Sequence, residues 1–116
     1  MRYRKERVED LLREEISSIL FREIKDPGLG FVTILEVKVT ADLKNAKILY
    51  SVYGDETVRE STAKVLKRSA GYVKFLLGER VKLRVMPDLT FVYDDRFEKM
   101  ARIEEILKKD VHSSDD

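Results

Sequence analysis

The chain has 116 residues, of which 43% are hydrophobic, and its 23 basic and 22 acidic residues leave a net charge of +1. This length predicts a single domain over residues 1–110 with one core, followed by a flexible polar tail at residues 111–116. The sequence contains no cysteine, which excludes disulfide and thiolate chemistry. Because the N-terminus lacks an apolar signal-peptide region and no run reaches the ~20 apolar residues of a membrane span, we expect a cytoplasmic protein with no membrane partner.

The composition is typical of proteins from thermophiles. Charged residues make up 39% of the chain, and it has one Asn (Asn45) and no Gln. Abundant Lys, Arg and Glu with few thermolabile amides is the pattern of hyperthermophile proteins. We therefore expect a thermophilic source.

The first predicted element is an amphipathic helix from Arg4 to Ile24. Its apolar residues recur at spacings of three and four, which places them on one buried stripe. They are Val8, Leu11, Leu12, Ile16, Ile19, Leu20 and Ile24. Asp26-Pro27-Gly28 ends this helix, because proline disfavours helix in the residue before it and glycine allows a left-handed turn.

Two strands follow, joined by a polar link at residues 41–45 that predicts an antiparallel hairpin. In the first, strict alternation predicts that Val37 and Val39 share a face with Leu35 and Thr33, whereas Ile34 lies on the opposite face. The faces are Phe31, Thr33, Leu35, Val37 and Val39 against Val32, Ile34, Glu36, Lys38 and Thr40. The second strand covers residues 46–53 and ends at Gly54-Asp55.

A second helix, capped by Asp55 or Thr57, is predicted to carry a break at Ser69-Ala70-Gly71. Its apolar residues are Val58, Val65, Leu66, Val73, Leu76 and Leu77. Gly71 admits two interpretations: a kink that turns the helix, or a site where the helix passes close to a strand.

The remaining chain is predicted to contain β-structure over Leu83–Val85 and Leu89–Tyr93, divided by Met86-Pro87-Asp88, because Pro87 cannot donate a ladder hydrogen bond. A last helix is then built on Phe97, Met100, Ile103 and Leu107, with Asp94 or Asp95 as its cap. The element order predicts an α+β fold with a three-stranded sheet and helices on one face.

Positive charge is concentrated between Lys64 and Arg84. Seven basic residues and one acid, Glu79, give this segment a charge of +6 (seven minus one). The bases are Lys64, Lys67, Arg68, Lys74, Arg80, Lys82 and Arg84. A local cation surface in a nearly neutral chain predicts a polyanionic partner. A second basic patch at the N-terminus consists of Arg2, Arg4, Lys5 and Arg7. A solvated helix face is the alternative interpretation of both patches.

The ordered motifs over Arg2 to Leu107 resemble the ribosome-binding factor A family of bacterial small-subunit assembly factors. The resemblance is carried by Arg4-x-x-Arg7-Val8, Lys25-Asp26-Pro27, Thr33-x-x-x-Val37, Asp42-Leu43-x-x-Ala46, Gly71-Tyr72-Val73-Lys74 and Leu83-Arg84-x-x-Pro87-Asp88-Leu89-x-Phe91-x-x-Asp94. It implies a KH-like fold of type II, α-β-β-α-kink-α-β, in which a helix–kink–helix replaces the GxxG loop. Ser69 stands where the family usually has Ala in its Ala-x-Gly motif.

The resemblance further implies that the chain binds the small (30S) ribosomal subunit and its 16S rRNA, assists late maturation and 5′-end processing, and matters most in the cold. Together with the charge pattern it gives a list of candidate RNA-binding residues. They are Arg4, Arg7, Lys64, Lys67, Arg68, Gly71, Lys74, Arg80, Lys82 and Arg84. Tyr72 lies beside this surface and is a candidate for stacking on a base.

Enzyme signals are weak, so we expect no catalytic residue, metal, cofactor or small-molecule substrate. His112 is the only histidine and lies in the predicted tail, where it is a poor general base or ligand. We expect a monomer. Two alternatives stay open: a homodimeric protein-interaction module that uses a sheet face with Val32, Ile34 and Leu49, and an RNA-processing enzyme.

Overall fold

The computed structural model describes residues 2–114, and it describes side-chain surroundings for residues 4–96 and 98–108. The elements are α1 (Arg2–Arg22), β1 (Phe31–Val39), β2 (Asn45–Tyr53), α2 (Glu56–Arg80), β3 (Asp88–Tyr93) and α3 (Arg96–Ser114). The strand order is β1-β2-β3, with β1 antiparallel and β3 parallel to the central β2. This mixed sheet, covered by α1 and α2, confirms the predicted α+β, KH-like class.

The core lies between one sheet face and the apolar stripes of α1 and α2. Its most buried members are Leu12, Ile16 and Ile19 from α1, Ile48 from β2, and Leu66, Val73 and Leu77 from α2, all 0% exposed. The i, i+3, i+4, i+7 spacing predicted both helical stripes, because it places these residues on the same side of a helix.

The segment between α1 and β1 is held against α2 by a close approach at Gly30. The Gly30 N–H donates to Thr62 Oγ1 at 2.9 Å, and Thr62 is 0% exposed. A Cβ on Gly30 would lie 2.7 Å from Val58 Cγ1 and 2.8 Å from Val52 Cγ2. Only glycine fits between these side chains. Asp55 caps α2, as predicted, by accepting a hydrogen bond from the Val58 N–H at 3.1 Å.

The predicted face assignment in β1 is wrong because the strand contains a β-bulge. Ile34 pairs with Tyr50 and Glu36 with Leu49, so Leu35 has no opposite residue in the register. The extra residue changes the alternation, as a bulge does. Ile34 therefore lies on the core face with Val37 and Val39. Val32, Ile34 and Leu49 therefore do not form an exposed surface that could serve as the proposed dimer interface, because Ile34 is only 8% exposed.

The predicted break at Ser69-Ala70-Gly71 does not interrupt the helix, and a bend of the helix axis there stays a prediction. α2 is one helix from Glu56 to Arg80. Leu66 before this segment and Val73 after it are both 0% exposed in the same core. A mid-helix glycine costs about 1 kcal/mol relative to alanine, which is less than the burial of such anchors contributes. The interpretation that the helix packs closely on a strand at Gly71 is wrong, because a Cβ on Gly71 would meet no described atom within 4 Å apart from the nearby backbone of α2 itself.

The last part of the chain differs from prediction in one strand. Residues 81–87 are irregular, and β3 begins only at Asp88, directly after the buried Pro87. Leu83–Val85 is therefore not a strand. Leu89–Tyr93 is confirmed as β. α3 includes residues 111–114 of the predicted tail, whereas 115 and 116 lie outside the described residues, so the flexibility of that tail stays a prediction.

Candidate nucleic-acid interface

The outward face of α2, defined here by Lys64, Lys67, Gly71, Phe75 and Gly78, is set by the stripe that the helix buries. These five residues are all exposed. Successive members are three or four residues apart, which aligns them along one side of a helix. The buried residues lie on the opposite side. The core packing of α2 therefore fixes which side chains can meet a partner.

Three of the predicted RNA-binding cations are used to hold α2 in place. Arg68 Nη2 lies 2.6 Å from Asp26 Oδ2, and Lys74 Nζ lies 2.6 Å from Asp88 Oδ1. Arg80 reaches α1 and the residue after it, with Nη1 3.7 Å from Glu15 Oε2 and Nη2 3.2 Å from Glu23 Oε1. These pairs link α2 to the segment before β1, to β3 and to α1.

The Asp26 carboxylate is held in its charged form by two donors. The Gly28 N–H donates to Oδ1 at 2.8 Å and Arg68 donates to Oδ2. The Gly28 hydrogen bond, and next the Arg68 guanidinium, lower the pKa of Asp26 below its ordinary value. Because hydrogen bonds to the charged form favour ionisation, Asp26 keeps neutralising Arg68 at neutral pH.

Six predicted cations make no ion pair with a described residue: Arg4, Arg7, Lys64, Lys67, Lys82 and Arg84. All six are exposed. Lys64 and Lys67 belong to the outward face of α2, and Lys82 and Arg84 lie in the irregular segment that follows it. These side chains are available to neutralise an anionic partner.

The structure brings the N-terminal patch towards the segment after α2. The Val39 N–H donates to Glu9 Oε2 at 2.9 Å, which places the start of α1 at the hairpin end of the sheet. The Asp88 N–H donates to the Lys44 carbonyl at 2.9 Å, so the segment carrying Lys82 and Arg84 ends there as well. Arg7, two residues before Glu9, therefore lies at the same end of the molecule.

Sequence reasoning missed Phe75, which is 60% exposed on the outward face of α2. The signal in the sequence was its spacing: Phe75 lies eleven residues after Lys64, three turns along the same side of the helix. Tyr72 is 51% exposed. By contrast, Tyr50 is 2% exposed, and the Tyr93 hydroxyl donates to Glu98 Oε2 at 3.1 Å.

No group of three or more His, Cys, Asp or Glu side chains that can hold a metal ion occurs among the described residues. None of the helices, over the residues searched, is long and apolar enough to cross a membrane.

The fold and the outward face of α2 define a KH-like α+β domain that presents cations on a helix. The family model described as Ribosome-binding factor A matches residues 4–107. This chain belongs to the ribosome-binding factor A family.

Similar proteins agree with that assignment. A Ribosome-binding factor A from Halothermothrix orenii is 48% identical over 93% of this chain and 88% of its own length. The crystal structure of ribosome-binding factor A from Thermus thermophilus has a TM-score of 0.69 at 22% identity, covering 77% of this chain and 93% of that one. A homology model of the T. thermophilus factor, fitted into a cryo-EM map of a 30S–RbfA complex, has a TM-score of 0.63 at 21% identity, with coverages of 74% and 90%. At these identities the two structures show a shared fold.

Proposed function

We propose that this chain binds the small ribosomal subunit through its 16S rRNA and assists late maturation of the subunit without catalysing a reaction itself. The observation that carries the proposal is the set of exposed cations on and after α2 that have no ion-pair partner among the described residues, in a member of the ribosome-binding factor A family. A factor of the same fold has been fitted into the map of its complex with the 30S subunit, which supports the same partner here.

The ten predicted RNA-binding residues divide into two roles in this proposal. Arg4, Arg7, Lys64, Lys67, Lys82 and Arg84 contact phosphates directly. Arg68, Lys74 and Arg80 are positioning residues, because each already holds α2 against another element through a carboxylate. Gly71 lies between Lys67 and Phe75 on the outward face and, because it has no side chain, lets a partner approach the helix closely. A-form RNA is recognised mostly through phosphates, 2′-hydroxyls and shape, which a rigid helix bearing Lys residues can read.

Charge reversal tests the direct contacts. Lys64→Glu with Lys67→Glu should weaken binding to purified small subunits at least about tenfold and reduce the dependence of log Kd on log salt by roughly one unit for each lost contact. The matched control is Lys38→Glu with Lys47→Glu, a directly opposed pair on the uncovered sheet face. Binding is measured by filtration or sedimentation over a salt series. Equal effects of the two double variants, or no change in either, would contradict the proposal.

The maturation role, including 5′-end processing of 16S rRNA, is tested in cells. Replacing the native gene with the Lys64→Glu/Lys67→Glu variant should increase 16S rRNA with an unprocessed 5′ end, most strongly at low growth temperature. Primer extension on subunit RNA measures this. The Lys38→Glu/Lys47→Glu variant should mature the RNA normally. Normal ends in both strains, despite lost binding, would separate subunit binding from maturation.

A further inference from the structure

Phe75 is an exposed aromatic side chain in a cationic surface. It is 60% exposed, although full burial of a phenylalanine side chain is worth about 1.5–3 kcal/mol. Lys67 and Lys64 precede it by about 12 and 16 Å along the helix axis, given 1.5 Å per residue. Neither lysine forms an ion pair with a described residue. An anionic chain that follows this face therefore passes over the Phe75 ring.

Two of the four positions that flank Phe75 along the helix are glycines, and the other two hold the exposed Tyr72 and Glu79. On a helix, residues at i−4 and i+3 lie next to residue i on the same side. Here they are Gly71 and Gly78, and a Cβ at either would meet no described atom within 4 Å. No side chain at these two positions covers the ring. A flat group can therefore approach the ring along the helix.

We infer that Phe75 stacks on an unpaired base, so that the outward face of α2 binds RNA at a bulged or single-stranded nucleotide next to a phosphate run. This inference rests on the proposed function and adds the structural class of its RNA. Stacking needs a base with a free π-face, which a continuous duplex keeps inside its helix. The cations hold the backbone, and the ring selects segments whose bases are exposed.

The charges argue for RNA rather than protein as the occupant of this face. Lys64 and Lys67 are exposed with Phe75 on one side of the helix, and the exposed acids near that side are Glu60, near its start, and Glu79, four residues after Phe75. By contrast, the groove beside Phe21 and Phe31 has Asp26 as its charged lining residue among the described residues. Aromatic rings interleaved with unpaired cations are the pattern of single-strand binding surfaces.

The test compares two RNA probes that differ in one nucleotide. The first is a fully paired hairpin, and the second is the same hairpin with a single bulged adenosine; both carry a fluorophore for anisotropy. The full-length protein should bind the bulged hairpin more tightly, and Phe75→Leu should remove about tenfold of that affinity while leaving the paired hairpin and both salt slopes unchanged. Phe75→Trp should keep the preference.

The controls separate this inference from the proposed function. Phe31→Leu, an equally conservative change on the sheet, should alter neither affinity. Lys64→Glu/Lys67→Glu should weaken binding to both probes and reduce both salt slopes. If neither quantity changes, the proposed binding of RNA by these cations is wrong. The stacking role is overturned if the wild type does not prefer the bulge, if Phe75→Leu binds both probes like the wild type, or if it weakens both equally. Unchanged binding of Phe75→Leu to both RNA probes, together with weaker binding to small subunits, would instead indicate that Phe75 contacts a protein.

Discussion

The outward face of α2 and the uncovered side of the sheet both expose large aromatic side chains, but only the helix face places cations without a described ion-pair partner beside them. On the sheet, Phe31 is 73% and Tyr53 86% exposed, and the two are directly paired across β1 and β2. They line an open cavity of about 640 Å³ whose charged lining residues, among those described, are Asp94 and Glu98. Exposure alone therefore does not indicate RNA; the charges around the ring decide which partner it suits.

The acids beside the sheet aromatics are already paired. Arg96 Nη2 lies 2.6 Å from Asp94 Oδ2, and Arg59 Nη1 lies 2.9 Å from Glu98 Oε2. Arg59 also lies over the Tyr93 ring, 5.5 Å from its centroid. These contacts hold the first turn of α3 on the body of the domain. A phosphate placed there would meet carboxylates whose partner arginines are occupied, unlike a phosphate on α2.

The largest expected effect is on stability and comes from Gly30, which packs between the sheet and α2. Gly30→Ala should reduce the free energy of unfolding by about 1–3 kcal/mol, because its Cβ would overlap Val52 on the sheet and Val58 on α2. Urea unfolding followed by circular dichroism measures this. Gly78→Ala, at an open helical position, is the control and should not destabilise. An unchanged urea midpoint for Gly30→Ala would show that Val52 and Val58 make room for the added Cβ without loss of stability.

Next in size is a change that adds cations to the cavity beside Phe31 and Tyr53, whose described lining contains no Lys or Arg. Thr33→Lys with Ser51→Lys places two cations in the cavity beside Phe31 and Tyr53. Affinity for protein-free rRNA should rise about fivefold with a steeper salt slope, by roughly one unit per new contact. Anisotropy over a salt series measures both quantities, with Thr33→Gln/Ser51→Gln as the uncharged control. An increase in both variants would mean that length rather than charge creates the contact.

A smaller effect is expected at Gly71, where the sequence indicated a helix break. Because Gly71 lies exposed inside a continuous helix, Gly71→Ala should raise the free energy of unfolding by about 0.5–1 kcal/mol. Thermal and urea unfolding give the value, and Gly78→Ala should behave alike. Destabilisation by Gly71→Ala alone would instead support a kinked conformation of α2 in the folded protein.

The elements that define the fold class were predictable because they leave a periodic or local pattern in the sequence. The stripes of α1 and α2, the hairpin and the Asp55 cap each depend on local spacing or chemistry, which a single sequence displays. The bulge at Leu35 could not be predicted, because nothing in the alternation of β1 shows that Leu35 has no partner in β2. Leu83–Val85 has β-type residues but finds no strand partner in the described part of the chain.

The candidate interface was predicted in outline and not in detail. Clustered cations are visible in the sequence, but which of them have partners depends on tertiary contacts such as Arg68 with Asp26, 42 residues apart. The position of Phe75 was predictable from its spacing to Lys64. Its importance was not, because the open space at Gly71 and Gly78 is apparent only in three dimensions.

The smallest expected effect compares how two aspartates, one beside each region, respond to acid. The pKa of Asp26 is lowered chiefly by the Gly28 N–H and then by Arg68, whereas that of Asp94 is lowered chiefly by the Arg96 side chain and then by the Arg96 N–H. A carboxyl whose folded-state pKa is depressed contributes stability that is present above its unfolded pKa of about 3.9 and is lost as pH falls through the folded value. Stability should therefore decrease on acidification below about pH 5.

The arginines distinguish the two sites. Arg68→Gln leaves the larger cause of the Asp26 shift in place, so the acid-induced loss of stability should stay close to that of the wild type. Arg96→Gln removes the larger cause at Asp94 and should flatten the curve more. Urea unfolding at intervals between about pH 6 and pH 3 measures this. Equal flattening by the two substitutions would show that Arg68 holds Asp26 as firmly as Arg96 holds Asp94, and that the Gly28 hydrogen bond contributes little to keeping Asp26 ionised.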